Sequence, residues 1–329
     1  DGIAYVSSAD LDGDHITDYV YAGDLLGNVW RFDLTSATEL NWAASSTPLF
    51  TTAAGQPITT KLQVVSVPQA TGLARVMIEF GTGQKFPFTA LVPTTYQTGT
   101  QSLYGVWDWN MTNWNSKSGT PYLSLAAGAT LTPANLEAQT LTQTGSVAAG
   151  TAALTITSNV VCWSGSATCA GGPGANSEFG WTVALPGVQE QIVYNPLIYQ
   201  NALIVNTTIP AVNTPSSCTV NHDTGNTIAI SLISGGALGN ASGSFFINST
   251  VTNAAGSQTN GTGTPFVAQA GGLTFILTQS LGGASFSYAG GSAPPANAPF
   301  SSVTGSSIAG GAVKGAAIVS KRLTWIERR

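Results

Sequence analysis

Charge is what this sequence has least of. Asp, Glu, Lys and Arg make up 8% of its 329 residues, against about 25% in ordinary globular chains. The 10 Lys and Arg residues are scattered, so no basic stripe exists to neutralise phosphates or an anionic lipid surface, and nucleic-acid binding is excluded as a main role. Nowhere do ~18 apolar residues run together, so no membrane-spanning helix is expected. With only 2 His, imidazole-rich metal or acid–base sites have little material. The 3 Cys, at Cys162, Cys169 and Cys218, fit either buried thiols or one disulfide with a leftover. Cys162 and Cys169 flank a short flexible span that could close a small loop, with Cys218 as an alternative partner. No leader precedes Ile3-Ala-Tyr-Val6, which already reads as a strand, so the chain is expected to be part of a longer exported protein.

What is present is β-forming. Val, Ile, Thr, Tyr and Trp recur between Gly- and Asn-rich turns, and strands are expected over residues 19–22, 28–34, 62–67, 75–80, 103–107, 180–185, 198–208 and 227–233. Helical periodicity is scarce; the best short candidate covers 133–139, with Thr132 as N-cap. Residues 19–34 and 198–208 each read as strand, turn and strand, the second turning at Gln200-Asn201, and such hairpins are the building unit of a propeller blade. From 234 to 317 the composition shifts to Gly, Ser, Ala, Asn and Thr, broken by apolar islands at strand-like intervals. This segment reads as a β-rich insertion with long Gly/Ser turns.

The carboxylates are concentrated. Seven of the nine Asp fall within the first 33 residues. In Asp10-Leu-Asp12-Gly-Asp14-His-Ile16-Thr-Asp18 they occupy positions 1, 3, 5 and 9 of an EF-hand-like loop, and position 7, Ile16, can offer its backbone carbonyl. Ca²⁺ takes six to eight hard oxygens, which a loop curling round the ion supplies from alternate residues. The expected ligand set is therefore Asp10, Asp12, Asp14, the Ile16 carbonyl and Asp18. Position 12 is Tyr21 instead of Glu, so this is a loop without flanking helices, closed by Asp18. His15 stands where Gly normally takes a left-handed conformation, a region that His tolerates better than most residues.

This loop runs directly into Tyr19-Val-Tyr-Ala-Gly-Asp-Leu-Leu-Gly-Asn-Val-Trp-Arg-Phe-Asp-Leu34. Further on come Phe80-Gly-Thr-Gly-Gln-Lys-Phe86, Ser102-Leu-Tyr-Gly-Val-Trp-Asp108, Gly180-Trp-Thr-Val-Ala-Leu-Pro186, Val193-Tyr-Asn-Pro-Leu197, Thr207-Thr-Ile-Pro210 and Lys321-Arg-Leu-Thr-Trp325. In this order the motifs resemble the C-terminal propeller domain of the PilY family of type IV pilus tip-associated adhesins and biogenesis factors. The resemblance implies an all-β, modified, quinoprotein-like β-propeller over residues 1–329, a single C-terminal domain of a longer protein. It also implies Ca²⁺ on the Asp10–Asp18 ligands, linked to pilus extension and retraction, and an extracellular location at the pilus tip or cell surface. Minor pilins are the implied partners, with host or abiotic surfaces as further ones. No Arg-Gly-Asp occurs, so integrin binding does not carry over.

Catalysis has weaker support. Quinoprotein dehydrogenases share the propeller class but use a vicinal Cys pair, and six residues separate Cys162 from Cys169. Cys218, His222 and Asp223 could form a nucleophilic set, although Asp223-Thr-Gly-Asn explains the same stretch as a turn. Glu178 and Glu190 could be a glycosidase pair only if folding brought them together. Trp107, Trp109 and Trp114 are read as core rather than as a sugar platform. The resemblance, together with the acidic loop, thus implies a non-enzymatic, calcium-binding pilus-tip protein for pilus assembly, retraction, adhesion and twitching motility. The alternative is a calcium-stabilised extracellular propeller adhesin or surface structural protein unrelated to pili.

Overall fold

The structure is a computed structural model of the whole chain. It describes residues 2–69, 74–86, 96–111, 130–145, 153–171, 175–199, 201–212 and 223–238, and six short strands between residues 246 and 322. Among these residues every regular element longer than one turn is a strand, and four sheets carry them.

The first sheet comprises β1 (Ile3–Ala9), β2 (Tyr19–Asp24), β3 (Asn28–Asp33) and β4 (Ala43–Ala44) in that order, with β5 (Phe50–Thr51) also pairing β3. Its β2–β3 turn follows from residue chemistry. Asp24 Oδ1 accepts the Leu26 and Asn28 amides at 2.9 and 2.8 Å, and Oδ2 accepts the Asn28 side-chain amide and the Trp30 indole N–H. Gly27 takes φ +84°, where a Cβ would also stand 1.9 Å from Thr52 Oγ1, so no other residue fits. The four donors hold the Asp24 carboxyl below the usual range even though burial opposes them.

The second sheet is ordered β21 (Lys321–Arg322), β6 (Gln63–Val67), β7 (Arg75–Gly81), β8 (Ser102–Trp107), β12 (Gly180–Ala184) and β9 (Glu137–Gln139). Its central β7 and β8 are buried along their whole lengths. The third sheet is ordered β10 (Leu141–Thr144), β11 (Ala153–Ile156), β17 (Gly263–Phe266), β15 (Gly225–Ser231), β14 (Ala202–Asn206) and β13 (Leu197–Tyr199). The fourth contains β16 (Phe246–Ile247), β20 (Ser307–Val313), β19 (Pro299–Thr304) and β18 (Thr274–Ile276). Within residues 234–317, β17 is therefore paired into the third sheet, while β16, β18, β19 and β20 pair among themselves.

One sequence expectation changes and another holds. The helix expected over 133–139 is a single 3₁₀ turn, Pro133–Asn135, followed by β9. Thr132 and Asn135 do form a reciprocal capping box, but Glu137–Gln139 gains a parallel strand partner in β12, and that pairing overrides a weak local preference. The run 198–208 is divided into β13 and β14 about its turn, as its hairpin reading required.

Aromatic side chains join the first two sheets. Phe50, Phe80 and Tyr104 sit with ring centroids 5.1 to 6.1 Å apart, and the Ser7 hydroxyl donates to the Leu62 carbonyl at 2.6 Å. Trp181 connects the second sheet to the third. A Cβ on Gly105 would lie 2.2 Å from its ring and one on Gly235 2.3 Å from it, while its indole N–H donates to the Leu232 carbonyl at 3.2 Å. Two glycines thus form the slot that admits the indole.

Candidate metal centre

The acidic loop spans the gap between β1 and β2. Their register ends on the Ala9–Tyr19 pair, and the Asp18 amide donates to the Ala9 carbonyl at 2.9 Å, closing residues 10–18 into a ring. Within it Asp10 Oδ1 accepts the Gly13 amide at 2.6 Å and Oδ2 the His15 amide at 2.9 Å. Asp18 Oδ2 accepts the Leu11 amide at 2.7 Å. These inward N–H donors hold the Asp10 and Asp18 carboxylates curled toward one centre.

Asp10, Asp12 and Asp18 each place a carboxylate oxygen within 4.8 Å of the others. Asp18 is the buried member, at 9% exposure, and forms the floor. Asp14 is not in this trio; its Oδ1 accepts the Ile16 amide at 2.7 Å and so shapes the loop. The hydrocarbon side chain of Ile16 is exposed and has no ligand atom, so only its backbone carbonyl could serve as one. His15 adopts φ +73° and Gly13 φ +83°, so the chain takes the left-handed turn at position 6 with His in the usual place of Gly. The donor set is all oxygen, with no thiolate and no imidazole in the cluster, which suits a hard cation such as Ca²⁺ over zinc or copper. The ligand set read from the sequence thus divides into three convergent carboxylates and two residues of the loop frame.

The other residues singled out from sequence have different surroundings. Trp107 and Trp109 are buried, at 2% and 5% exposure, and Trp107 packs with Trp163 and Phe179. The Arg75 guanidinium lies 4.2 Å from the Trp163 ring centroid and 5.1 Å from that of Trp107. Trp114, Cys218 and His222 lie outside the described residues. Asp223 accepts from the Tyr96 hydroxyl and from the Ala211 amide. Cys162 and Cys169 are joined by a disulfide. Glu178 and Glu190 are engaged separately. Glu178 accepts the Cys162 amide at 2.5 Å, whereas buried Glu190 accepts from the Gly187 amide, the Thr207 hydroxyl and the Asn226 side chain.

Three electrostatic features of the fold go beyond what the sequence indicated. Asp108, fully buried, accepts the Tyr21 hydroxyl at 2.8 Å and pairs with Arg31 at 2.6 Å, joining the first two sheets. Burial pushes its carboxyl above the usual range, against the pull of the Arg31 guanidinium and the Tyr21 hydroxyl. Glu79, mid-β7, is wholly buried with neither oxygen hydrogen-bonded, and burial drives its carboxyl well above the ordinary range. Glu178 is pushed up to about 7 by burial, against the Cys162 amide, with neighbouring Glu137 adding to the rise.

Taken together, the sheets and the loop between β1 and β2 define a class: an all-β, multi-sheet protein with an acidic oxygen cluster in its first hairpin. Comparison with known proteins narrows it. Residues 1–152 match the family model of the PilY1 beta-propeller domain. The chain is 31% identical over 162 residues to type IV pilus biogenesis factor PilY1 of Pseudomonas aeruginosa, a match covering 43% of this chain and 13% of that protein. The Xylella fastidiosa PilY1 homologue is 31% identical over 118 residues, covering 32% of this chain and 8% of the homologue. The crystal structure of the P. aeruginosa PilY1 C-terminal domain superposes with a TM-score of 0.61 at 21% identity, covering 95% of this chain and 61% of that one. Over residues 1–152 the chain is thus similar to the PilY1 propeller domain, and its fold is that of the PilY1 C-terminal domain. It matches only a small part of the length of these curated relatives.

Proposed function

We propose that this chain is the calcium-binding propeller domain of a type IV pilus tip protein, supporting pilus assembly and retraction, surface adhesion and twitching motility. It acts by binding and assembly, not catalysis, outside the cell and in contact with minor pilins. Among the described residues no helix is long and apolar enough to cross a membrane. The observation that carries the reading is the convergence of Asp10, Asp12 and Asp18 inside the stretch that matches the family.

Bound Ca²⁺ supplies positive charge that relieves carboxylate repulsion; Asp10, Asp12 and Asp18 would hold it, with the Ile16 carbonyl and water able to complete the shell. Because these side chains come from both ends of the loop, an ion held there would fix the β1–β2 hairpin, whose β2 carries Tyr21 to Asp108 in the next sheet. An ion that binds only the folded chain adds about 2.7 kcal/mol at a hundredfold excess over Kd. Thermal unfolding in Ca²⁺ against chelator should show a higher Tm with the metal, and Asp12→Asn or Asp18→Asn should abolish the difference. Equal melting of the wild type in both conditions would refute the metal reading. Minor pilins should be retained on the immobilised chain, and their absence from the eluate would refute the pilus assignment.

A further inference from the structure

A second site lies away from the acidic loop. Between β4 and β5 the chain leaves the edge of β3 and returns, tied at each end by the Ser45 amide to the Arg31 carbonyl, 2.8 Å, and the Leu49 amide to the Val29 carbonyl, 2.8 Å. The arch encloses a cavity of about 230 Å³ lined by Arg31, Ser45, Ser46, Thr47, Leu49 and Asn110. Asn110 belongs to the segment leaving β8, so two sheets contribute to it.

The polar groups in this wall are unspent. The Ser45 hydroxyl is buried without a hydrogen-bond partner, a costly state for a group that water or a ligand could satisfy. Of the Arg31 guanidinium only Nη1 is engaged, by Asp108, and its side chain keeps 19% exposure. Among the described residues the Ser46 and Thr47 hydroxyls and the Asn110 amide have no partner either. Arg31 would suggest an anion, but its charge is already balanced by Asp108 at 2.6 Å, and Asp33 adds further negative field there. An incoming carboxylate or phosphate would meet no net positive charge. What remains is a rim of groups that donate and accept, with Leu49 as an apolar patch.

We propose that this cavity binds a neutral, hydroxyl-rich ligand, one ring of a saccharide, through Arg31, Ser45, Thr47 and Asn110. Sugar hydroxyls both donate and accept, which matches hydroxyl and amide partners, and ring C–H groups can lie on Leu49. The proposal goes beyond the pilus reading and does not depend on it or on calcium.

Saturation-transfer NMR on the full chain, with methyl glucoside, methyl galactoside and N-acetylglucosamine as probes and phosphate and acetate as anionic controls, tests it. At least one sugar should give transfer from its ring protons while the anions neither bind nor compete. Ser45→Ala and Asn110→Leu should each weaken that sugar about fivefold or more, the loss of one hydrogen bond. Ser45→Ala should leave the Tm of the free protein unchanged or raised, since it removes an unsatisfied hydroxyl, so weakened binding cannot be blamed on misfolding. No transfer from any sugar, transfer undiminished in both variants, or binding of the anions in preference would overturn the proposal.

Discussion

Replacing Arg31 with Met tests how the first two sheets are joined. Asp108 has no exposed side-chain surface and two partners, Arg31 at 2.6 Å and the Tyr21 hydroxyl at 2.8 Å. Without Arg31 the carboxylate keeps one neutral donor in a buried site. Stranding one member of a buried pair costs about 3–5 kcal/mol, a large share of the ~5–15 kcal/mol that holds a typical domain. Equilibrium urea unfolding should show the midpoint falling by on the order of 1–2 M for a slope in the usual range. Tyr21→Phe, which removes a neutral donor to a charged acceptor, should cost less, about 1.5–3 kcal/mol. The loss in Arg31→Met should also depend on pH. With the cation gone, the folded Asp108 pKa rises further above its unfolded value, so the destabilisation grows as pH rises above ~4 and is relieved on acidification as the carboxyl protonates. Arg31→Met with Asp108→Leu removes both charges and should recover most of the loss. A cost for Arg31→Met below about 1 kcal/mol, the level of an exposed pair, or one that is flat with pH, would refute the reasoning.

Gly105→Ala would place its Cβ 2.2 Å from the Trp181 ring, so a loss of about 1–3 kcal/mol or more is expected in denaturant unfolding, with quenching of the Trp181 environment altered. Glu79 and Glu178 both have raised carboxyl pKa values in the fold; the unfolded chain ionises them first, so their share of stability is complete below ~4.5 and declines as pH rises, through about 7 for Glu178. Glu178→Gln should flatten the slope of Tm between pH 5 and 7.5 if this sign is right, and an unchanged slope would count against it. Cys162 and Cys169, seven apart in sequence, close a short loop, and their joint replacement by Ser should cost about 2.4 kcal/mol in the chain-entropy account, measured by urea unfolding under non-reducing conditions.

Local chemistry was readable from the sequence where it is local in the fold. Asp10, Asp12 and Asp18 lie within nine residues, and their meeting needs only a tight loop between two paired strands, so alternation and spacing placed them together. The same holds for the Asp24 turn and the hairpin of β13 and β14. Misreading began where a neighbour from elsewhere decided the conformation, as at 137–139, whose strand exists because β12 lies alongside. Asp14 shows a finer limit: its spacing matches a ligand position, yet whether its carboxylate faces the centre or caps the Ile16 amide is set by the path of the loop in space.

Alternating apolar residues, turn chemistry and a crowd of carboxylates in the first hairpin were enough to determine an all-β chain with one acidic oxygen site. The sheet order, the slot that Gly105 and Gly235 make for Trp181, and the pairing of Arg31 with Asp108 across 77 positions were decided only by the tertiary structure. The physical reason is that a strand's own pattern records which of its faces is buried, but not which distant strand buries it. Burial, in turn, is what leaves the Glu79 carboxyl without a partner and the Ser45 hydroxyl unsatisfied.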